Sequence, residues 1–114
     1  MPQPRPTPVI RDRLRGSLDA LILKTLSWGP RHGYAIARWL EDTARALTIE
    51  EGSLYPALYR MEKRGWIEAD WGTSELGRKA KFYQITDKGR RQLRAETKEF
   101  ATFVAAVAPL LLPA

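Results

Sequence analysis

Apolar residues recur at helical spacing from Ser17 onward: Leu18, Leu21, Ile22 and Leu26 share one stripe, and Leu23 lies off it. Apolar surface outside the main stripe predicts a second contact for this helix, within the domain or with another subunit. Gly29, Pro30 and Gly33 in "WGPRHGY" then break the chain. A second helix is predicted from about Tyr34 to Ala44, with Ile36, Ala37 and Leu40 on its inner face. Thr48 and Glu51 have the T-x-x-E spacing of a capping box, which predicts a third helix starting near Ile49. It stops at Gly65, where a left-handed cap suits glycine.

The period then changes from helical to alternating. "WIEADW" sets Ile67, Ala69 and Trp71 against Trp66, Glu68 and Asp70, and "KFYQIT" sets Tyr83 and Ile85 against Phe82 and Gln84. Two strands are predicted, joined by the long stretch "GTSELGRKA". Thr86 caps a final helix running from Asp87 to about Ala108. Along it Leu93, Phe100 and Val107 recur every seven residues, with Phe103 and Val104 beside them. A helix of about twenty residues reaches roughly 30 Å at its 1.5 Å rise, further than so small a head can cover. A partner subunit accounts for that stripe better than the helix's own domain does.

The third helix poses a question. With Leu54 turned inward and about 100° added per residue, Ala57, Leu58 and Met61 fall on the core side. Gly52, Pro56, Tyr59 and Lys63 fall opposite, and Ser53, Tyr55 and Arg60 flank them. Such a face suits a DNA major groove: its leading residues are slim, and its hydroxyls and guanidinium can reach base edges. Tyr55, on the flank, fits a core edge as well as a groove. Pro56 removes a helical hydrogen bond and crowds the carbonyl four residues earlier, which is that of Gly52. Alternatively, regular helix starts later, with Ser53 as its cap.

Composition narrows the partner. The chain has 114 residues, 44% hydrophobic and 28% charged, as expected of one soluble domain. Its net charge of +6 favours an anionic partner. From Arg60 through Arg94 ten Lys or Arg stand against five Asp or Glu, so that third carries +5 of the +6. Arg78, Lys79 and Lys81 cluster at the end of the loop between the strands, placed to neutralise phosphates beside the third helix. Lys88, Arg90, Arg91 and Arg94 open the last helix, where they reach a DNA backbone or merely keep that face soluble. Residues 1–12 hold four prolines and read as an extended arm, with Arg5 and Arg11 able to touch nucleic acid or simply to stay solvated.

Other chemistries find little support. There is no cysteine, which excludes disulfides and thiolate sites and fits a reducing cytoplasm. No stretch reads as a signal peptide or a membrane span; the apolar "VAAVAPLLLPA" is too short and is interrupted by Pro109. His32 is the only histidine, and beside Pro30 and Gly33 it suits a helix start rather than acid–base work. No carboxylate–histidine cluster has metal-ligand spacing, and no glycine-rich phosphate loop follows a strand. Glu50, Glu51 and Glu62 are explained by an exposed helix face. No enzyme activity, metal or cofactor is expected.

"GSLYPALYRMEKRGWIEADW" followed by "GRKAKFYQITDKG" resembles the PadR family of winged helix-turn-helix transcription factors, and "HGYAI" is similar to the start of that family's second helix. The resemblance runs from about Leu14 to Leu93. It implies a mainly α fold with a small β-hairpin wing (α+β), residues 49–64 as recognition helix, residues 66–86 as wing and a dimerising last helix. The chain then divides into the arm 1–12, a winged helix-turn-helix DNA-binding domain 13–86 and a dimerisation helix with its tail, 87–114. Expected DNA contacts are Gly52, Ser53, Tyr55, Pro56, Tyr59, Arg60 and Lys63 on the helix, and Arg78, Lys79 and Lys81 on the wing. The expected homodimer seam is Leu93, Phe100, Phe103, Val104 and Val107, with Leu23 from the first helix. Some members of the family bind flat aromatic molecules between subunits, and Trp28, Trp39, Phe100 and Phe103 are candidate walls for a small aromatic effector. The function implied is that of a cytoplasmic, nucleoid-associated repressor on double-stranded DNA with an inverted-repeat operator. A winged-helix module that binds another protein is the alternative, with its basic charge serving solubility; clustering of that charge in the wing favours DNA.

Overall fold

The computed structural model describes residues 18–43 and 53–113. The arm 1–12, the capping pair Thr48 and Glu51, and Gly52 lie outside the described residues. Helix α1 covers residues 18–26, followed by strand β1 (Arg31–His32), α2 (Gly33–Thr43), α3 (Leu54–Lys63), β2 (Ile67–Thr73), β3 (Lys79–Ile85) and α4 (Asp87–Leu111). The strands form one antiparallel sheet in the order β1-β3-β2. The change from helical to alternating period predicts this α+β order of helices and hairpin, and the winged helix-turn-helix arrangement is the one the resemblance implies.

The core gathers Leu18, Ile22, Leu23 and Leu26 from α1, Ile36 and Leu40 from α2, Leu54, Ala57, Leu58 and Met61 from α3, and Trp66, Ile67 and Tyr83 from the hairpin. Leu23, expected at a subunit seam, is enclosed in this core and has no exposed surface within the single chain. Asp19 and Thr25 are buried as well, so α1 is enclosed over most of its circumference, as expected of a helix with apolar residues outside one stripe.

Helix α3 begins at Leu54, with Ser53 at the N-cap position, instead of near Ile49. The Ser53 side chain makes no capping hydrogen bond; its carbonyl accepts the first helical bond, from Ala57 N at 3.2 Å. This start answers the question raised by Pro56. The proline sits in the first helical turn, where backbone N–H groups have no intrahelical acceptor, so its missing N–H costs nothing. The helix ends as predicted. Gly65 takes φ +77°, its N–H reaches the Glu62 carbonyl at 3.0 Å, and the Trp66 N–H reaches the Met61 carbonyl at 3.1 Å. These two bonds make a Schellman cap, whose left-handed residue is easiest for glycine.

The hairpin pairs in register from Ile67↔Ile85 to Thr73↔Lys79, leaving only residues 74–78 as a turn. The predicted nine-residue loop is thus shorter, because the strands extend through the polar residues at both ends of it. Lys79 and Lys81 belong to β3, and Arg78 alone of the three lies in the turn. Alternation continues along β2 while burial fades: Ile67 is enclosed, Ala69 half-buried, and Trp71 is 61% exposed. The ribbon simply outruns the core. β1 is unanticipated, since two residues carry no period; it pairs Arg31↔Tyr83 and His32↔Phe82. His32 does start α2, accepting the Ala35 N–H on Nδ1 at 3.1 Å.

Helix α4 is joined to the C-terminal end of α3. The Thr86 hydroxyl accepts from Gly89 N at 3.0 Å and donates to the Gly65 carbonyl at 2.6 Å, while Thr86 N donates to the Trp66 carbonyl at 3.0 Å. Gly89 is buried in this junction, and a Cβ there would overlap the Trp66 carbonyl and lie 2.8 Å from Ile85 Cγ1. Pro109 is accommodated inside the helix, which extends to Leu111, three residues past the predicted end. Replacing Gly89 with alanine should destabilise the fold by about 1–3 kcal/mol or more, because the clash is with backbone and no rotamer relieves it. Urea denaturation of Gly89→Ala checks this; a midpoint equal to that of the parent would show that the junction opens freely.

Candidate nucleic-acid interface

The outward side of α3 carries Pro56, Tyr59 and Lys63 opposite its four buried apolar residues, with Tyr55 on the flank, and all four are exposed. Tyr55 and Tyr59 are 59% and 62% exposed, too open to serve as core cover. Tyr55 still has a local anchor: its ring edge lies against Gly33, where a Cβ would sit 2.9 Å from Tyr55 Cε1. This contact docks the start of α3 on the start of α2. Lys63 Nζ rests 4.8 Å from the centroid of the Tyr59 ring, one turn earlier, a cation–π approach that gathers hydroxyl and charge at one place.

Arg60 does not belong with them. Its Nη2 donates to Asp19 Oδ1 at 2.7 Å, with the Asp19 side chain 7% exposed and that of Arg60 29%. A guanidinium on the flank of α3 lies close enough to α1 to be captured by a buried carboxylate, and a buried charge demands such a partner. Arg60 therefore ties α3 to α1, a contact that competes with the base-reading role expected of it. Ser53, half-buried at the helix start, presents little surface.

On the hairpin, Lys81 is committed in a similar way. Its Nζ lies 3.4 Å from Glu62 Oε1 of α3 and 5.6 Å from the Tyr83 ring centroid, while its side chain stays 41% exposed. Arg78 and Lys79 are exposed, and Lys79 Nζ lies 5.1 Å from the centroid of the exposed Trp71 ring. The turn that presents them is held by Ser74 N to the Arg78 carbonyl at 2.8 Å, Gly77 N to the Ser74 carbonyl at 2.9 Å and Arg78 N to Ser74 Oγ at 3.3 Å. Trp71 escaped the sequence reading as a surface residue because its place in the alternation matched the core side.

The whole frame, from α1 through the first turns of α4, matches a known family over residues 22–95: Transcriptional regulator PadR-like family. The chain belongs to that family. An uncharacterised protein of Lysinibacillus sphaericus is 37% identical over 91 residues, spanning 79% of this chain and 84% of that one. A PadR-like transcriptional regulator from Bacillus cereus is 35% identical with a TM-score of 0.78, covering 90% of this chain and 99% of the other. A PadR family transcriptional regulator from Eggerthella lenta is 30% identical with a TM-score of 0.75, over 93% and 91% of the two chains.

In this PadR-like chain the last helix divides into two parts. Leu93, expected at the seam, is half-buried and packs against the head core; it lies within the first two turns of α4, where the head still covers the helix. Beyond it Phe100 is 64% exposed, Phe103 and Val104 are exposed, and Val107 is half-buried. Trp28 and Trp39 meet edge to face at 5.6 Å on the head, with Lys24 Nζ 5.6 Å from the Trp28 centroid. Among the described residues no group of His, Cys, Asp or Glu is arranged to hold a metal, and no helix is long and apolar enough to cross a membrane.

Burial, reinforced by the charges of Asp19 and Glu99, pushes the Glu96 carboxyl above its ordinary value, against the hydrogen bond from Gln92 and the charge of Arg64. A raised carboxyl favours the protonated folded form. The stability this gives is present below the unfolded value and is lost as pH rises through the folded one.

The Arg60–Asp19 pair gives a test of the reassignment. Arg60→Ala should lower stability by about 1–3 kcal/mol, since it strips a charge-assisted bond from a buried carboxylate. Tyr59→Ala, fully on the surface, should stay within about 0.5 kcal/mol of the parent. Equal unfolding midpoints for the two variants would return Arg60 to the outward face.

Proposed function

We propose that this transcriptional regulator binds double-stranded DNA as a homodimer, with α3 in the major groove and the hairpin beside it as a wing, and acts as a repressor at an inverted-repeat operator. The observation that carries this reading is the two-sided character of α3. One side is wholly apolar and buried, while the other offers two tyrosine hydroxyls and a lysine, with no carboxylate among its exposed residues from Leu54 to Lys63. The hydroxyls and the ammonium on that side can donate to base edges. Arg78 and Lys79 on the rigid wing turn supply phosphate contacts, which set register and carry no sequence information.

One head has a single groove-entering helix, and selective binding needs a larger footprint. Two heads related by a two-fold axis place their recognition helices about 34 Å apart, one turn of DNA, and read an inverted repeat. The apolar stripe of exposed Phe100, Phe103 and Val104 with half-buried Val107 is the seam this requires, since apolar surface of that size on α4 is stabilised by removal from water.

A salt series of binding to a random duplex tests the electrostatic part. The logarithm of affinity should fall steeply with that of salt, and Arg78→Ala with Lys79→Ala should reduce the slope by up to about 2 if each meets one phosphate. On a duplex selected by the protein from a random library, Tyr59→Ala and Lys63→Ala should each cost about 1–3 kcal/mol and cost less on random DNA. Absence of binding to any duplex at low salt would favour a protein-binding module instead.

For the seam, changing both Phe100 and Val107 to Asp should yield a folded monomer with a large loss of operator affinity. Sedimentation equilibrium and titration of that double variant check it. A dimer that persists moves the seam elsewhere, and a monomer with full affinity defeats the two-headed mechanism.

A further inference from the structure

Two large apolar side chains on the hairpin stand in water: Trp71, 61% exposed, and Leu76, 82% exposed. A single exposed leucine is ordinary on a protein surface. The place of this one is not. Beyond the Ala69↔Tyr83 pair, where Tyr83 is still buried, the ribbon runs four more residues to Thr73↔Lys79, about 14 Å at 3.4 Å per residue. Leu76 is third in the four-residue turn that follows, closed by Gly77 N donating to the Ser74 carbonyl at 2.9 Å. Gly77 itself takes φ +75°, and a tight turn followed by a left-handed glycine is a common, well-defined hairpin closure. Polar residues are the usual occupants of such a turn. A leucine there adds almost nothing to the core.

The sides of the apex are charged. Glu75 precedes Leu76, and Arg78 and Lys79 follow, all exposed, so two cations and one carboxylate flank it. Lys79 Nζ lies 5.1 Å from the centroid of the Trp71 ring, which carries the mixed cationic and apolar surface back along the ribbon. Cations beside an apolar apex complement a partner with anionic edges and an apolar interior. A DNA groove has that order, with phosphates along both rims and stacked bases between them. The minor groove is about 6 Å wide, and two strands stand about 4.8 Å apart before their side chains are added. The ribbon is therefore too broad to enter it, and only the apex can. Leucine cannot hydrogen-bond to base edges, so its favourable place in a groove is between base pairs that have parted.

We propose that Leu76 is an apolar wedge, entering the minor groove at the apex of the wing and parting a base step, so that this regulator reads the deformability of DNA beside its recognition helix. The inference rests on the DNA-binding reading above, in which α3 fills the major groove and the wing meets the neighbouring minor groove. Arg78 and Lys79 hold the phosphate rims while Leu76 unstacks the step, and the duplex kinks toward the major groove. Pyrimidine–purine steps, TA and CA, part most readily, so the preference falls on them.

The test compares Leu76→Ser and Leu76→Phe with the wild type. The side chain is exposed, so all three should unfold at the same urea midpoint. A duplex carrying a fluorescent donor at one end and an acceptor at the other reports bending through energy transfer. Wild type should bend its library-selected duplex by about 20° or more, Leu76→Ser by less than about half of that, and Leu76→Phe as much as wild type. Selection from a random library by wild type should also enrich a TA or CA step about fivefold at a fixed distance outside each half-site. Leu76→Ser should select the same half-site with that step enriched less than about twofold. The salt slope should be equal in all three, because no phosphate contact is removed. A reduced slope in Leu76→Ser would show that Leu76 only supports the phosphate contacts, and overturns the wedge. Equal bending by wild type and Leu76→Ser, or an unbent wild-type complex, overturns it while DNA binding stands. Absence of binding to any duplex at low salt removes the DNA reading itself, and the wedge with it.

Discussion

Thr86 stands where three elements meet. Its N–H binds the carbonyl of Trp66, its hydroxyl donates to Gly65 and accepts from Gly89, and the absence of a side chain at Gly89 lets α4 approach that backbone. A helix cap alone is worth about 1 kcal/mol. Here the same hydroxyl also satisfies the C-terminal cap of α3, so the recognition helix, the base of the hairpin and the start of α4 share one set of hydrogen bonds. The outward face of α3, the reach of the wing and the direction of α4 are all referred to this point. Such a junction tolerates neither a bulkier residue at Gly89 nor the loss of the left-handed cap at Gly65.

Charge has been sorted by the same packing. Several basic side chains that look equivalent along the chain separate into two groups once the helices are assembled. Arg60 and Lys81 face carboxylates across element boundaries, Asp19 on α1 and Glu62 on α3, and fasten the head together. Lys63, Arg78 and Lys79 stay exposed, Lys63 and Lys79 each over an aromatic ring. Cations held over rings keep most of their field available while their stems lose little freedom, a sensible arrangement for contacts with a polyanion. A PadR-like surface built this way separates the charge paired within the head from the charge left exposed.

The last helix shows the opposite economy. Its first turns are covered by the head, and its remaining length carries large apolar side chains into solvent. Exposed apolar area on this scale is unusual for a chain that acts alone. The helix that carries it is anchored at Thr86, the same point that holds the end of α3.

Much of this was legible in one dimension. The 3.6-residue period over α1, α2 and α3, the stop at Gly65, the cap at Thr86 and the switch to alternation over the hairpin are local properties of neighbouring residues, and each took its predicted form. The outward placement of Pro56, Tyr59 and Lys63 follows from helix geometry once Leu54 is turned inward, whereas that geometry leaves Tyr55, on the flank, open between core edge and surface. What the chain could not disclose involves residues far apart in it. Arg60 meets Asp19 forty-one positions away, Lys81 meets Glu62, and Leu23 and Leu93 are covered by elements that only the assembled head brings over them. A two-residue strand such as β1 has no period to detect. Local sequence fixes which face a side chain occupies; whether that face meets solvent, a counter-charge or the core is a matter of what packs against it, and tertiary structure alone decides that.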